Sequence, residues 1–306
     1  MRELIIGTRG SALALAQAAW VASRLREGVP ELAIRTEVIR TTGDANQVQP
    51  LSQVGDKGLF TRQIEAALLA GRIHIGVHSL KDLPTVLPPG LVLGAVTQRQ
   101  DVRDALISAS GLGLDDLPAG ARVGTSSLRR AAQLLAYRPD LRIVSIRGNV
   151  DTRLHKALTA EYDAVVLAAA GLTRLGLSHH ITQFLPLDVM LPAVGQGALA
   201  LEIRADDAST GALVARLEHK STRLATDAER AFLTALGGGC QVPIAALGEV
   251  VDNRLRLRGL VATEDGKCVR KGELSGNLDR AEQIGRILAE KLMASPSVTP
   301  SPAQAH

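Results

Sequence analysis

The chain has 306 residues, enough for two or three domains that each bury a core. Aromatic residues make up 2 % of it, so the cores rest on Leu, Val, Ile and Ala, and the scarcity argues against base-stacking platforms for single-stranded nucleic acid. A formal net charge of +4 argues against a concentrated basic nucleic-acid patch, but the cations are 28 Arg against seven Lys, and Arg grips carboxylates and phosphates through two parallel N–H groups.

In chain order, 4–7 reads as a strand, 12–26 as an amphipathic helix, 36–40 as a strand, 59–69 as a helix, and 74–78 and 91–96 as strands. A polar stretch near 98–103 breaks the series. A second series follows: strand 122–124, helix 128–137, strand 142–146, helix 150–158 and strand 164–168. Such alternation predicts α/β units with mostly parallel sheets. Pro192, Gly195 and Gly197 mark a second crossing near 191–200. The last third differs: a helix over 221–236, antiparallel strands 245–251 and 254–263 about Asp252-Asn253, and a closing helix over 281–293, an α+β pattern. The expected domains are 1–98 with 198–216, then 103–192, then 220–294, with a disordered Pro-, Ser- and Ala-rich tail over 295–306.

Cys240 and Cys268 form no CxxC or Cys/His spacing, and His179-His180 has no further ligand at useful spacing, so no metal site is expected. Met1–Gly7 leads straight into a strand pattern without the features of a signal peptide, and no apolar run is long enough to span a bilayer. The chain reads as cytoplasmic, with neither membrane nor nucleic acid as partner.

Four helix starts share a pattern. Thr8-Arg9-Gly10-Ser11, Gly124-Thr125-Ser126-Ser127-Leu128-Arg129-Arg130 and Arg147-Gly148-Asn149-Val150-Asp151-Thr152-Arg153 each join a strand to a helix, and Val54-Gly55-Asp56-Lys57-Gly58-Leu59 leads into one from a loop. Ordinary capping explains any one of them. Helix N-termini also attract anions, and in parallel sheets these junctions lie where ligands bind. Four of them carrying Arg or Lys predict a ligand with several negative groups, carboxylates as readily as phosphates.

Two further stretches stand out. His78-Ser79-Leu80-Lys81-Asp82-Leu83-Pro84 places a carboxylate at a strand end among cations, where it can stabilise a cationic intermediate or move a proton. The bland alternative is a solvated turn before proline, with His78 structural. Gly237-Gly238-Gly239-Cys240-Gln241-Val242-Pro243 gives the backbone unusual freedom and clears space around a sulfur, as a bulky attached group would need. A glycine turn with an incidental thiol is the alternative.

These stretches, with Val77 ahead of His78, Phe60 after Leu59, and Leu191-Pro192-Ala193-Val194-Gly195-Gln196-Gly197, occur in the order found in porphobilinogen deaminases, the hydroxymethylbilane synthases, which the chain resembles from Gly7 to about Met293. The resemblance implies three domains: two α/β lobes like those of periplasmic binding proteins, with the active-site cleft between them, and a smaller α+β domain. It implies a dipyrromethane cofactor joined by thioether to Cys240. It implies a monomeric transferase that condenses four porphobilinogens head to tail, releasing ammonia each time, before water frees the tetrapyrrole. Asp82 matches the catalytic carboxylate. Lys81, Ser79, Thr125, Ser126, Ser127, Arg129, Arg130, Arg147 and Gly148 match cofactor-holding positions, and Arg9, Ser11, Lys57, Arg147, Arg153 and Gln196 substrate-holding ones. Gln53 departs from the family, which usually has Lys there; a neutral hydrogen bond is roughly half as strong as a charge-assisted one.

Three other readings compete. A two-lobed anion-binding protein explains the cationic junctions but gives Cys240 no role and calls for a secretion signal. A cysteine hydrolase needs a His that the sequence does not mark. A nucleic-acid binder needs a basic patch, whereas these Arg are spread over loop starts.

Overall fold

The computed structural model describes residues 3–41, 61–159, 161–238 and 242–294. Its elements begin with β1 (Leu4–Thr8), α1 (Ala12–Gly28), β2 (Ile34–Val38), α2 (Arg62–Leu69), β3 (Ile75–Ser79) and β4 (Leu91–Val96). They continue with β5 (Asp104–Ile107), β6 (Arg122–Gly124), α3 (Leu128–Tyr137), β7 (Arg142–Val144), α4 (Val150–Ala157), β8 (Ala164–Ala168), α5 (Ala169–Arg174) and β9 (Gln183–Phe184). The last are β10 (Leu199–Arg204), α6 (Ala208–Val214), α7 (Lys220–Ala235), β11 (Ile244–Val251), β12 (Arg254–Ala262), β13 (Val269–Asn277) and α8 (Ala281–Ala294).

The chain divides into two compact units, Met1–Gln100 with Gly195–Arg223, and Asp101–Val194 with Leu224–His306. In the first, five strands form one sheet in the order β2-β1-β3-β10-β4. Ala18, Val21, Ala22 and Leu25, one helical face of α1, pack on Leu4, Ile6, Ile75, Val77 and Leu201. The other side is covered by α2, whose Ile64, Ala67 and Leu68 meet Ile39, Ile73 and Leu91.

The second unit holds a five-stranded sheet, β7-β6-β8-β5-β9, and a three-stranded one, β11-β12-β13. The β11–β12 hairpin turns on Asp252 and Asn253, at φ 48° and 58°, a left-handed pair that tight hairpins favour. Phe232 of α7 and Ile284, Leu288 and Leu292 of α8 pack on Leu255 and Leu257 of that sheet. The result is two α/β lobes and a smaller α+β C-terminal domain, the fold class expected.

The expectation of mostly parallel sheets needs correction. In each five-stranded sheet two pairs are parallel and two antiparallel. The antiparallel pairs come from β10 and β5, strands whose mates lie far along the chain.

Candidate active site

The site in the first unit grows from the end of β3. After Ser79 the chain makes a 3-10 turn over Leu80–Asp82. Leu80 is buried and anchors the turn, while Asp82 is exposed. Asp82 lines a cavity together with Arg9, Ser11, Gln17, Thr61, His78 and Ser79. Ser11 ends the β1–α1 junction as the N-cap of α1, its Oγ accepting from Ala14 N at 3.3 Å. The positive end of that helix and the Arg9 guanidinium therefore share a wall with the Asp82 carboxylate. Ser79 Oγ accepts from Gln17 Nε2 at 2.9 Å.

Lys81 Nζ reaches Gln196 Oε1 at 3.4 Å, and the Gln196 carbonyl accepts from Arg99 Nε at 2.6 Å. Gly195, at φ +73°, lies so close that a Cβ there would stand 2.9 Å from Leu80 Cγ. Glycine is thus required where the 191–200 stretch crosses the turn bearing Lys81 and Asp82.

In the second unit β6 and β7 run parallel, so the starts of α3 and α4 lie side by side. Ser126 Oγ ties the two junctions, donating to the Ile146 carbonyl at 2.7 Å and accepting from Ile146 N at 3.0 Å. Thr125 Oγ1 accepts from Ser127 N at 3.2 Å, and the Ser127 hydroxyl caps no helical N–H. Gly148 holds φ +112° and its carbonyl accepts from Arg153 Nε at 2.8 Å. Arg147 Nε is buried with no hydrogen-bond partner among the described residues.

Arg129 and Arg130, in the first turn of α3, are both buried around Asp104 of β5. Arg129 Nη1 donates to Asp104 Oδ2 at 2.8 Å and to the Leu191 carbonyl at 2.7 Å. Arg130 donates to Asp104 Oδ1 through Nε and Nη2, and to the Val166 carbonyl through Nη1 at 3.1 Å. Burial alone would push the Asp104 carboxyl up, but the two guanidiniums outweigh it and hold it far below its ordinary value. Burial pushes Arg129 down, against the pull of Asp104. One carboxylate faces two guanidiniums at a helix N-terminus, an excess of positive charge suited to an anion.

Cys240, Lys57 and Gln53 lie outside the described residues, as does the 295–306 tail. Of the glycines before Cys240, Gly237 and Gly238 have φ +84° and +42°, and a Cβ on Gly237 would meet nothing within 4 Å. A glycine turn has the same conformation, so these two residues do not separate the two readings of that run. Sequence reasoning missed Asp104, Gln17, Arg99 and Glu202. Gln17 alone had a signal, as a polar residue on the apolar face of α1.

The family model for the porphobilinogen deaminase dipyrromethane cofactor binding domain matches residues 4–212, and that for the porphobilinogen deaminase C-terminal domain matches 224–294. The chain belongs to the porphobilinogen deaminase family. It is 54 % identical to the porphobilinogen deaminase of Pelotomaculum thermopropionicum over 95 % of this chain and 94 % of that one. The Desulforudis audaxviator relative is 52 % identical over the same shares, and that of Roseiflexus 51 % over 95 % and 96 %. Among solved structures, the periplasmic aliphatic sulphonate binding protein SsuA from Escherichia coli is similar at 15 % identity over 77 % of this chain and 70 % of that one, with a TM-score of 0.39.

Membership of the porphobilinogen deaminases makes the chain a transferase of porphyrin biosynthesis that condenses porphobilinogen, releases ammonia, and frees the linear tetrapyrrole hydroxymethylbilane. Its cofactor is dipyrromethane. The residues present suit such a polycarboxylate: an orphaned, buried Arg147 Nε and the surplus cation at Arg129 and Arg130 both call for an acidic group.

Proposed function

We propose that Asp82 is the catalytic carboxylate of this reaction and that Cys240 anchors the cofactor through a thioether. The observation that carries the first assignment is the shared cavity wall of Asp82, Arg9 and Ser11. There a carboxylate can hold pyrrole N–H groups and stabilise the positive charge that develops on the substrate as ammonia leaves, while the cation and the helix end hold the substrate's own carboxylates. Asp82 can also take the proton released at the attacking pyrrole carbon.

The dipyrromethane, when bound, supplies the nucleophilic carbon on which the chain grows. Cys240 is therefore an anchor and not a turnover nucleophile. Lys81, Ser79, Thr125, Ser126, Ser127, Arg129, Arg130, Arg147 and Gly148 hold the cofactor. Arg9, Ser11, Lys57, Arg147, Arg153 and Gln196 hold substrate. Arg147 supports this through an unused Nε donor, whereas the Ser126 hydroxyl, already bonded to Ile146, acts by fixing where the two junctions stand. The domains are read as 1–98 with 198–216, 103–192 and 220–294. We take the protein to act as a cytoplasmic monomer with no membrane or nucleic-acid partner; its balanced charge and scarce aromatics support the last of these. Among the described residues no helix is long and apolar enough to cross a membrane.

Intact-mass measurement followed by peptide mapping of 237–243 tests the anchor. An added mass of two linked pyrroles on Cys240 is expected. An unmodified Cys240 after incubation with porphobilinogen, or pyrroles on Cys268, would overturn it.

A further inference from the structure

A buried polar cluster lies directly behind the catalytic turn. His78 Nε2 is 3.0 Å from Glu202 Oε2, with side chains 4 % and 0 % exposed. Register puts Glu202 of β10 opposite Gly76 and Ala200 opposite His78, so Gly76, His78 and Glu202 share one face of the sheet. A Cβ on residue 76 would stand 2.9 Å from His78 Nε2, so the glycine leaves room for the ring. Helix α2 covers this face and brings Glu65, also buried, whose carboxyl is pushed up chiefly by burial. The second oxygens, Glu202 Oε1 and Glu65 Oε1, are buried with no hydrogen-bond partner among the described residues.

Such a cluster is a poor way to hold a sheet together. Taking polar and charged groups out of water offsets most of what their pairing contributes, and apolar side chains of equal volume often stabilise as much or more. A buried hydrogen-bonded pair adds direction, since it fixes where the ring and its backbone stand. Here the fixed residue is the penultimate one of β3. Across the sheet, Gln17 holds Ser79 at 2.9 Å, and Leu80 N donates to the Ala198 carbonyl at 3.0 Å. The strand end is gripped from both faces just before it delivers Asp82.

We propose that His78, held by Glu202, is a positioning residue for Asp82: it fixes the end of β3 so that the Leu80–Asp82 turn presents its carboxylate at one place on the cavity wall. The inference rests on the reading of Asp82 as the catalytic carboxylate. The charged and titratable groups that face this cluster are Glu202 from β10 and Glu65 from α2, with Arg62 of α2 acting on Glu65, and Arg9 and Asp82 line the same cavity as His78.

The test is a double-mutant cycle with the full chain. His78→Leu is expected to lower kcat by about tenfold or more and to leave the KM for porphobilinogen within about threefold. His78→Gln, which keeps an N–H at similar reach, should restore kcat to within about threefold of the unsubstituted enzyme. In an Asp82→Asn background, His78→Leu should cost less than about twofold more, because both changes act through one carboxylate. Hydrogen exchange supplies a readout independent of activity: the amides of Leu80 and Leu83 should lose at least about tenfold protection in His78→Leu while those of β1 keep theirs. Unchanged kcat, multiplicative losses, a raised KM with normal kcat, or unchanged protection at Leu80 and Leu83 would each overturn the proposal. Normal turnover in Asp82→Asn alone would instead remove the catalytic reading, leaving hydrogen exchange to judge the positioning. If His78→Leu fails to fold, Glu202→Gln, which keeps shape and loses charge, takes its place in the same measurements, with the same outcomes supporting or overturning the proposal.

Discussion

Asp104 and Arg130 meet at two points: Oδ1 accepts from Nε at 3.1 Å and from Nη2 at 2.7 Å, with both side chains almost fully withdrawn from water. The other oxygen is taken by Arg129. Removing the shared anion leaves two buried guanidiniums without a counter-charge. Asp104→Asn should therefore destabilise the fold by about 3–5 kcal/mol in urea unfolding. The pH dependence follows in sign. A carboxyl held low in the fold contributes stability above its ordinary value, about 3.9, and loses it as pH falls toward the folded value. The acid limb of the stability curve should be flatter in Asp104→Asn; an unchanged limb would show that other groups set it.

Asp82→Asn should lower turnover by more than about tenfold, the equivalent of about 1.4 kcal/mol in the barrier. Because Asp82 is exposed, thermal stability should stay within about 2 °C. Steady-state kinetics and a melting curve on one preparation check both. Near-normal turnover would take Asp82 out of the mechanism.

Arg147→Leu removes a buried, unused donor. The fraction of protein carrying two linked pyrroles, read by intact mass, should fall by about tenfold or more, since a bound carboxylate loses its charged partner. Full loading and chain growth at the normal rate would show that Arg147 holds neither cofactor nor substrate.

Gly197→Ala tests the 191–200 crossing. Gly197 has φ +92°, and a Cβ there would lie 2.6 Å from the Gln100 carbonyl oxygen, a backbone atom that cannot step aside cheaply. The expected loss is about 1–3 kcal/mol in urea unfolding. Gly176→Ala is the comparison: a similar φ of +71° with nothing within 4 Å should cost only about 1 kcal/mol. Equal losses would mean that contact with Gln100 is irrelevant.

Much of this was legible in the residues. The helices over 12–28, 128–137 and 281–294 follow their apolar spacing, and three of the cationic junctions are helix starts in the structure. The fourth lies outside the described residues. Local patterning could not reveal partners brought by topology. Asp104 sits in a four-residue strand, Ala105, Leu106 and Ile107 following it, with no sequence sign that two arginines of another element would close on it. Glu202 interrupts an apolar run, Leu199–Leu201, at a site where the fold makes it His78's mate. β13 was also missed, because Gly272, Glu273, Ser275 and Gly276 leave Leu274 as the one large apolar side chain of that stretch, so hydrophobic contrast is weak.

The place of β10 between β3 and β4 bears on how the chain is made. A ribosome delivers β3 and β4 early, yet the strand that joins them is delivered only after the whole 101–194 stretch. Until then two strand edges in the first unit wait without their mate, the kind of edge that invites pairing with other chains. The second five-stranded sheet, with all its strands between residues 104 and 184, has everything it needs sooner. Of the two five-stranded sheets, the one built on β1 and β3 is thus the later to receive its last strand.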